Sequence, residues 1–154
     1  MTFETQESLK RILHRSARYL DDQNYSAFLD LFTDKADYSI TCLAPELQKK
    51  MIWMQRSRDE LAERIAAMNE HEWEIACVQQ TRIISVDTIL ITGNAATTST
   101  SFSLYHTLDD GSSELYVLGR YEDEWLNSDD SWLISNREVA LRTRKLKLLS
   151  PLPV

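Results

Sequence analysis

Two long runs rich in aromatic and branched residues, close together near the C-terminus, constrain this chain more than any other feature. The first runs from Glu114 to Trp125 and the second from Ser131 through Leu141 toward Thr143, with Asn127-Ser128-Asp129-Asp130 between them. Asn, Ser and Asp tolerate the tight backbone of a reversal, so the pattern predicts a β-hairpin. A hairpin this long cannot stand alone in water, because its strands need neighbours and one face needs a cover. The rest of the chain has to supply both.

Upstream of the hairpin the hydrophobic period is already two. Residues 78–92 are rich in Ile, Val and Thr and end at the turn pair Gly93-Asn94. Next, Ala96, Thr98, Thr100, Phe102, Leu104, His106 and Leu108 alternate with Thr97, Ser99, Ser101, Ser103, Tyr105 and Thr107. That is a strand with one more apolar and one hydroxyl-rich face. Asp109-Asp110-Gly111 predicts a second hairpin turn leading into Glu114. Four long consecutive antiparallel strands result.

The cover comes from the N-terminal half. Leu9, Ile12, Leu13, Ala17 and Leu20 recur at helical spacing and predict an amphipathic helix over about residues 5–22. Ser26 is placed to cap a short helix carrying Phe28, Leu29, Leu31 and Phe32. Thr33-Asp34-Lys35 reads as a turn and Ala36–Thr41 as one short strand. From Cys42 to Arg56 the pattern turns irregular, broken by Pro45, and predicts a loop that carries the apolar cluster Met51, Ile52, Trp53 and Met54. Such a cluster is covered either by its own domain or by another subunit, and we take these four residues as a candidate interface. Ser57-Arg58-Asp59-Glu60 is a capping-box pattern, and Leu61, Ile65 and Met68 extend a third helix from it to about Asn69. The period changes to two after Trp73.

Helices followed by a run of strands predict an α+β fold in which a curved antiparallel sheet packs on three N-terminal helices. With 154 residues the chain is read as one domain, 1–154. Curvature leaves a cone between sheet and helices, a common place for a ligand. A net charge of -7 argues against nucleic acid, which needs a basic face. The one basic cluster, Arg142 to Lys147, reads either as a solvated strand end or as a contact for an acidic partner. Cys42 and Cys77 are far apart and fit a reducing cytosol, and neither lies in a nucleophile motif. No secretory segment or membrane-length apolar run is present, so a cytoplasmic location is expected.

Candidate chemistry can be counted. An iron–sulfur centre held by two Cys and two His needs paired spacings. Two isolated Cys and three isolated His (His14, His71, His106) do not provide them, nor a two-His, one-carboxylate iron site. No catalytic, cofactor-binding or metal residue is therefore expected. His106, which shares a strand face with Phe102 and Leu104, could act as a general base if buried inside the cone, or serve as a structural histidine hydrogen-bonded in the core or at a subunit contact. Asp37 and Tyr19 could join it, although Asp37 reads equally as a strand start and Tyr19 as a helix–sheet boundary. Trp125 and Trp132 read as cross-strand aromatics. Arg120 and Arg137 read as partners of Glu122, Glu124 and Glu138.

Three stretches together resemble a known family. They are Arg18-Tyr19-Leu20-Asp21-Asp22-Gln23 through Leu31-Phe32-Thr33-Asp34-Lys35-Ala36-Asp37-Tyr38, then Arg56 to Ile65, then Gly119-Arg120-Tyr121-Glu122-Asp123 with Trp132 to Val139. In order and spacing they are similar to the small (β) subunits of aromatic-ring-hydroxylating dioxygenases, the Rieske non-haem iron oxygenases. The opening and the Trp-x-Ile strand are shared with the wider nuclear-transport-factor-like, cystatin-like cone superfamily. Thr81-Arg82 stands where many members carry Arg-His, a partial match. The resemblance implies a cone fold and a structural subunit without an active site of its own. It implies a large α subunit as partner, in an α3β3 assembly with the small subunits associating as a trimer. The Rieske [2Fe-2S] cluster and the mononuclear iron would lie on that α subunit. The length and the Ile52-Trp53 segment look closest to oxygenases of benzoate-like acids, in aromatic-compound catabolism. The alternative is a stand-alone cone-fold isomerase, cyclase or dehydratase using His106 or Asp37 as base.

Overall fold

In the computed structural model, residues 2–67, 77–144 and 153–154 are described. Helix α1 spans Phe3–Asp21 and α2 spans Tyr25–Leu29. Strand β1 covers Phe32–Ala44, a 3-10 turn covers Pro45–Leu47, and β2 covers Lys49–Ser57. Helix α3 is Arg58–Ala67, followed by β3 (Cys77–Thr92), β4 (Ala95–Leu108), β5 (Ser113–Ser128) and β6 (Ser131–Leu141). The six strands form one sheet in the order β2-β1-β6-β5-β4-β3. Every neighbouring pair is antiparallel except β1 and β6, which run parallel. No helix among the described residues is long and apolar enough to cross a membrane.

The helix ends follow from local chemistry. Thr2 accepts from the Thr5 N–H and opens α1. Ser57 Oγ accepts from the Glu60 N–H at 3.2 Å while Glu60 Oε2 accepts from the Ser57 N–H at 3.0 Å, so the capping box forms as its residues predict. Met68 and Asn69 of the predicted α3 lie outside the described residues, as do His71 and Trp73. The cap of α2 is Asn24, not Ser26: its side chain accepts from Ala27 N at 3.3 Å, starting the helix two residues earlier than a Ser26 cap allows.

The N-terminal strand region corrects the sequence reading most. Thr33-Asp34-Lys35 is not a turn but part of a thirteen-residue β1. The loop expected over Cys42–Arg56 contains the end of β1 and all of β2 but its last residue, Ser57. β2 is an edge strand whose residues are exposed or only half-buried, so the alternation that marks a half-buried strand is absent from it.

Six register shifts bend the sheet around the helices, and four of them bear on the site and its edge. Trp53 on β2, Asp87 on β3, Tyr116 on β5 and Ser135 on β6 each stand as an extra residue against the partner strand. Such bulges increase local twist and re-aim the side chains beside them. The β5–β6 turn is tighter than the polar break suggests: only Asp129 and Asp130 lie in it, both at positive φ (51° and 59°), which matches the twist of a two-residue hairpin. Gly119 is required for close approach. A Cβ there would sit 2.8 Å from the Ala140 carbonyl oxygen and 3.0 Å from Phe102 Cε1.

The core lies between the concave sheet face and the helices. Leu9, Leu13, Leu20, Phe28 and Leu61 are buried there with Tyr38, Phe102, Leu104, Val117, Tyr121, Trp125, Ile134 and Val139. Each fully buried apolar side chain contributes about 1.5–3 kcal/mol over its exposed state. Trp125 and Trp132 do not pair with each other: Trp125 faces Ile134 and Trp132 faces Asn127 in the register. Trp125 Nε1 donates instead to Thr98 Oγ1 at 2.9 Å, in the core.

Candidate functional site

The cone interior is polar at its centre. On β4, Thr98, Thr100, Phe102, Leu104 and His106 are buried at every second position, as alternation predicts. The bulge at Tyr116 swings that ring under His106, and the two stack with centroids 4.0 Å apart. His106 Nε2 lies 3.5 Å from Gln80 Nε2. Burial lowers the His106 pKa below the ordinary 6.5, the Arg82 guanidinium lowers it further, and Glu114 opposes them.

The unfolded chain therefore binds this proton more readily than the folded one. The stability contributed by neutral His106 is fully present above the ordinary value of 6.5 and is lost as pH falls from there through the folded value. The melting temperature is expected to drop between about pH 7.5 and about pH 5.5. His106→Phe, which keeps a ring on Tyr116, should flatten that drop. An identical pH slope in the variant would assign the acid sensitivity to other groups.

Arg82, buried on β3, is held by the end of the first helix. Its Nη1 donates to Asp21 Oδ1 at 2.8 Å, and its backbone N–H donates to Asp21 Oδ2 at 3.0 Å. One carboxylate thus ties α1 to the β3 edge through both main chain and side chain. Arg82 Nη2 donates to the Pro153 carbonyl at 3.2 Å. Beside it Tyr38 Oη donates to the Val154 carbonyl at 3.2 Å and accepts from the Val154 N–H at 3.1 Å.

A second ion pair closes the cone under β5 and β6. Arg137 and Asp123 are register partners, and both are completely buried as side chains. Arg137 Nε and Nη2 donate to the two Asp123 oxygens at 2.7 and 2.9 Å, a forked, charge-assisted pair. The guanidinium lies 4.4 Å from the centre of the Tyr121 ring, which in turn stacks on Phe102 at 4.2 Å. Burial alone weakens the guanidinium's hold on its proton, but the Asp123 carboxylate more than offsets this and the net direction is up. Arg82 Nε, Thr100 Oγ1, Tyr121 Oη and Arg137 Nη1 are buried without a hydrogen-bond partner among the described residues.

The expected Tyr/Asp/His set does not form. Asp37 is exposed on the side of β1 opposite Tyr38, because neighbouring strand residues face opposite ways. Tyr19 is half-buried on α1 and packs against the core. His14 is exposed on α1. Arg137 pairs with Asp123 inside the cone, not with Glu122, Glu124 or Glu138. Arg120 does keep Glu122 in reach at 3.5 Å but bonds Asp87 at 3.0 Å. Glu138 takes Lys50 and Thr41 as partners. Among the described residues no group of three His, Cys, Asp or Glu is placed to hold a metal ion.

The apolar cluster lies on the outer edge. Met51, Ile52 and Trp53 are 46%, 61% and 38% exposed, while Met54 is half-buried and packs on the core. Trp53 occupies the β2 bulge. With Met51, Leu43, Cys42, Ala44 and Arg144 it lines a groove of about 480 Å³. Arg144 bonds Glu46 across its rim. Burial raises the Cys42 thiol, Arg144 pulls it down and Glu46 pushes it up, with a net rise that disfavours the thiolate. Lys145 and Lys147 of the basic cluster lie outside the described residues.

A curved, unclosed sheet wrapped on three helices, with a buried polar centre, defines the cystatin-like cone class. The chain belongs to the SnoaL-like domain family, whose profile matches residues 1–138. It is similar to the β subunit of the methanesulfonate monooxygenase hydroxylase of Methylosulfonomonas methylovora, 26% identical over 156 residues that cover 96% of this chain and 86% of that one. The β subunit of 2-aminobenzenesulfonate 2,3-dioxygenase from an Alcaligenes species is 23% identical, with 96% and 97% covered. In three dimensions the chain superposes with a TM-score of 0.79 on a protein from Novosphingobium aromaticivorans described as the β subunit of an aromatic-ring-hydroxylating dioxygenase. That structure is 19% identical, and 92% of this chain and 91% of that one are covered.

Proposed function

We propose that this chain is the small, non-catalytic subunit of a multi-component ring-hydroxylating oxygenase acting on a benzoate-like acid. Its role is to hold large subunits that carry the Rieske cluster and the mononuclear iron, in an α3β3 assembly with a small-subunit trimer. The observation that carries this reading is the tied interior of the cone: Arg82 is engaged by Asp21 and Pro153, Arg137 by Asp123, and Tyr38 by Val154. Likeness to two oxygenase β subunits over 96% of the chain supports it. The stand-alone enzyme reading loses Asp37 to the outer face and finds His106 stacked on the Tyr116 ring.

Co-expression with an α-type subunit carrying Cys-x-His and Cys-x-x-His spacings is expected to give one co-eluting complex. A small chain that always elutes alone as a monomer would overturn the reading. Met51, Ile52, Trp53 and Met54 are the proposed contact in that complex, with Trp53 as anchor, since exposed aromatics concentrate binding energy. Trp53→Ala is expected to reduce complex mass while leaving the melting temperature of the isolated chain near wild type. Unchanged mass with a lowered melting temperature would instead place Trp53 in the fold of its own domain.

A further inference from the structure

Strand β2 stands at one end of the sheet, and no strand among the described residues pairs with its outer side. Such an edge offers a row of N–H and C=O groups to a further strand, and proteins blunt it with bulges and lysines. β2 has both devices, but in different places. Its bulge lies at Trp53, while Lys49 to Ile52 pair without a break against Ala44, Leu43, Cys42 and Thr41. This regular half borders the apolar groove, which Leu43, Ala44, Met51 and Trp53 line. Leu43 and Ile52 are exposed beside it.

The rim is cationic on a chain whose net charge is -7. Lys49, the register partner of Ala44, is exposed and makes no ion pair among the described residues. Lys50 is held by Glu138 at 2.8 Å, and Arg144 by Glu46. We propose that Lys49–Ile52 takes an extended acidic segment of a partner chain as one more strand of the sheet. The segment places an apolar side chain against Met51 and Trp53, and a carboxylate within reach of Lys49 and Arg144. Charge selects this occupant over a second copy. Another β2 edge would bring its own lysines to the same rim, and like charges across a strand pair destabilise it. The inference rests on reading Met51–Met54 as the large-subunit contact, and adds the form and charge of what binds there.

The test compares amide exchange in the isolated chain and in the complex co-expressed with the large subunit. Alternate amides between Lys49 and Ile52, those pointing away from β1, are expected to slow about tenfold or more in the complex. Lys49→Glu combined with Arg144→Gln is expected to weaken association about tenfold at low salt and less at high salt, with the melting temperature of the isolated chain near wild type. A complex that forms with unchanged exchange over Lys49–Ile52 overturns the proposal and leaves the large-subunit reading standing, whereas failure to form any complex sinks both. Protection combined with full affinity in the charge variant refutes an acidic segment. Slow exchange at these amides in the isolated chain, together with the mass of a self-assembled oligomer, makes a second copy the occupant and refutes the proposal as well.

Discussion

Arg137→Ala is expected to destabilise the fold by about 3–5 kcal/mol, because it leaves Asp123 charged and alone in the interior. Both side chains are fully buried, and two short bonds make Arg137 the only donor to Asp123 among the described hydrogen bonds. The substitution also removes the cation from the Tyr121 face. In a domain of this size the melting temperature should fall by about 10 °C or more. Replacing both partners by apolar residues, as in R137M/D123L, should recover most of the loss, since the penalty lies in the orphaned charge. Urea unfolding of the single and double variants measures both. A single variant within about 1 kcal/mol of wild type would mean that water reaches Asp123.

Trp125→Ala carries the second large effect. Among the described residues Trp125 is the largest fully buried side chain, 1% exposed, and deleting it opens a cavity between β5 and the helices. A loss of about 3–5 kcal/mol is expected. Thr98→Val removes only the bond from Trp125 Nε1 and should cost about 1 kcal/mol. Similar losses in the two variants would shift the weight from packing to the hydrogen bond. Chemical denaturation followed by far-ultraviolet circular dichroism avoids the changed fluorescence of the Trp variant.

Much of the sheet was legible because β4 and most of β5 obey a strict period of two. Alternation put His106 on one face with Phe102 and Leu104, and that face is the buried one. The capping box at Ser57 and Glu60 was equally plain, since it needs only residues three apart. β2 was not legible. An edge strand with little burial has no pattern to read, and Met51–Met54 looked like a loop for that reason.

The polar centre was harder to see. Arg82 lies in phase with Ile84 and Val86, a charged residue in an apolar row, and that signal was available. Its partner Asp21 lies sixty-one positions away at a helix end, and nothing local joins them. Arg137 carried a divided signal: it is in phase with Val139 and Leu141, but counting by two from Ile134 sends Asn136 and Glu138 inward and Arg137 outward.

The amino-acid sequence by itself determined the three helices, the four C-terminal strands with their long hairpins, the α+β class and the inward row on β4, because these depend on residues a few positions apart. Only the tertiary structure decided which charges go inside. The extra residue Ser135 shifts the register of β6 and carries Arg137 onto Asp123, and the extra residue Tyr116 slides beneath His106. A bulge reverses side-chain facing beyond it, and its position depends on how two strands bend over the same helices. That bend is a property of the whole sheet, so no short stretch of the chain contains it.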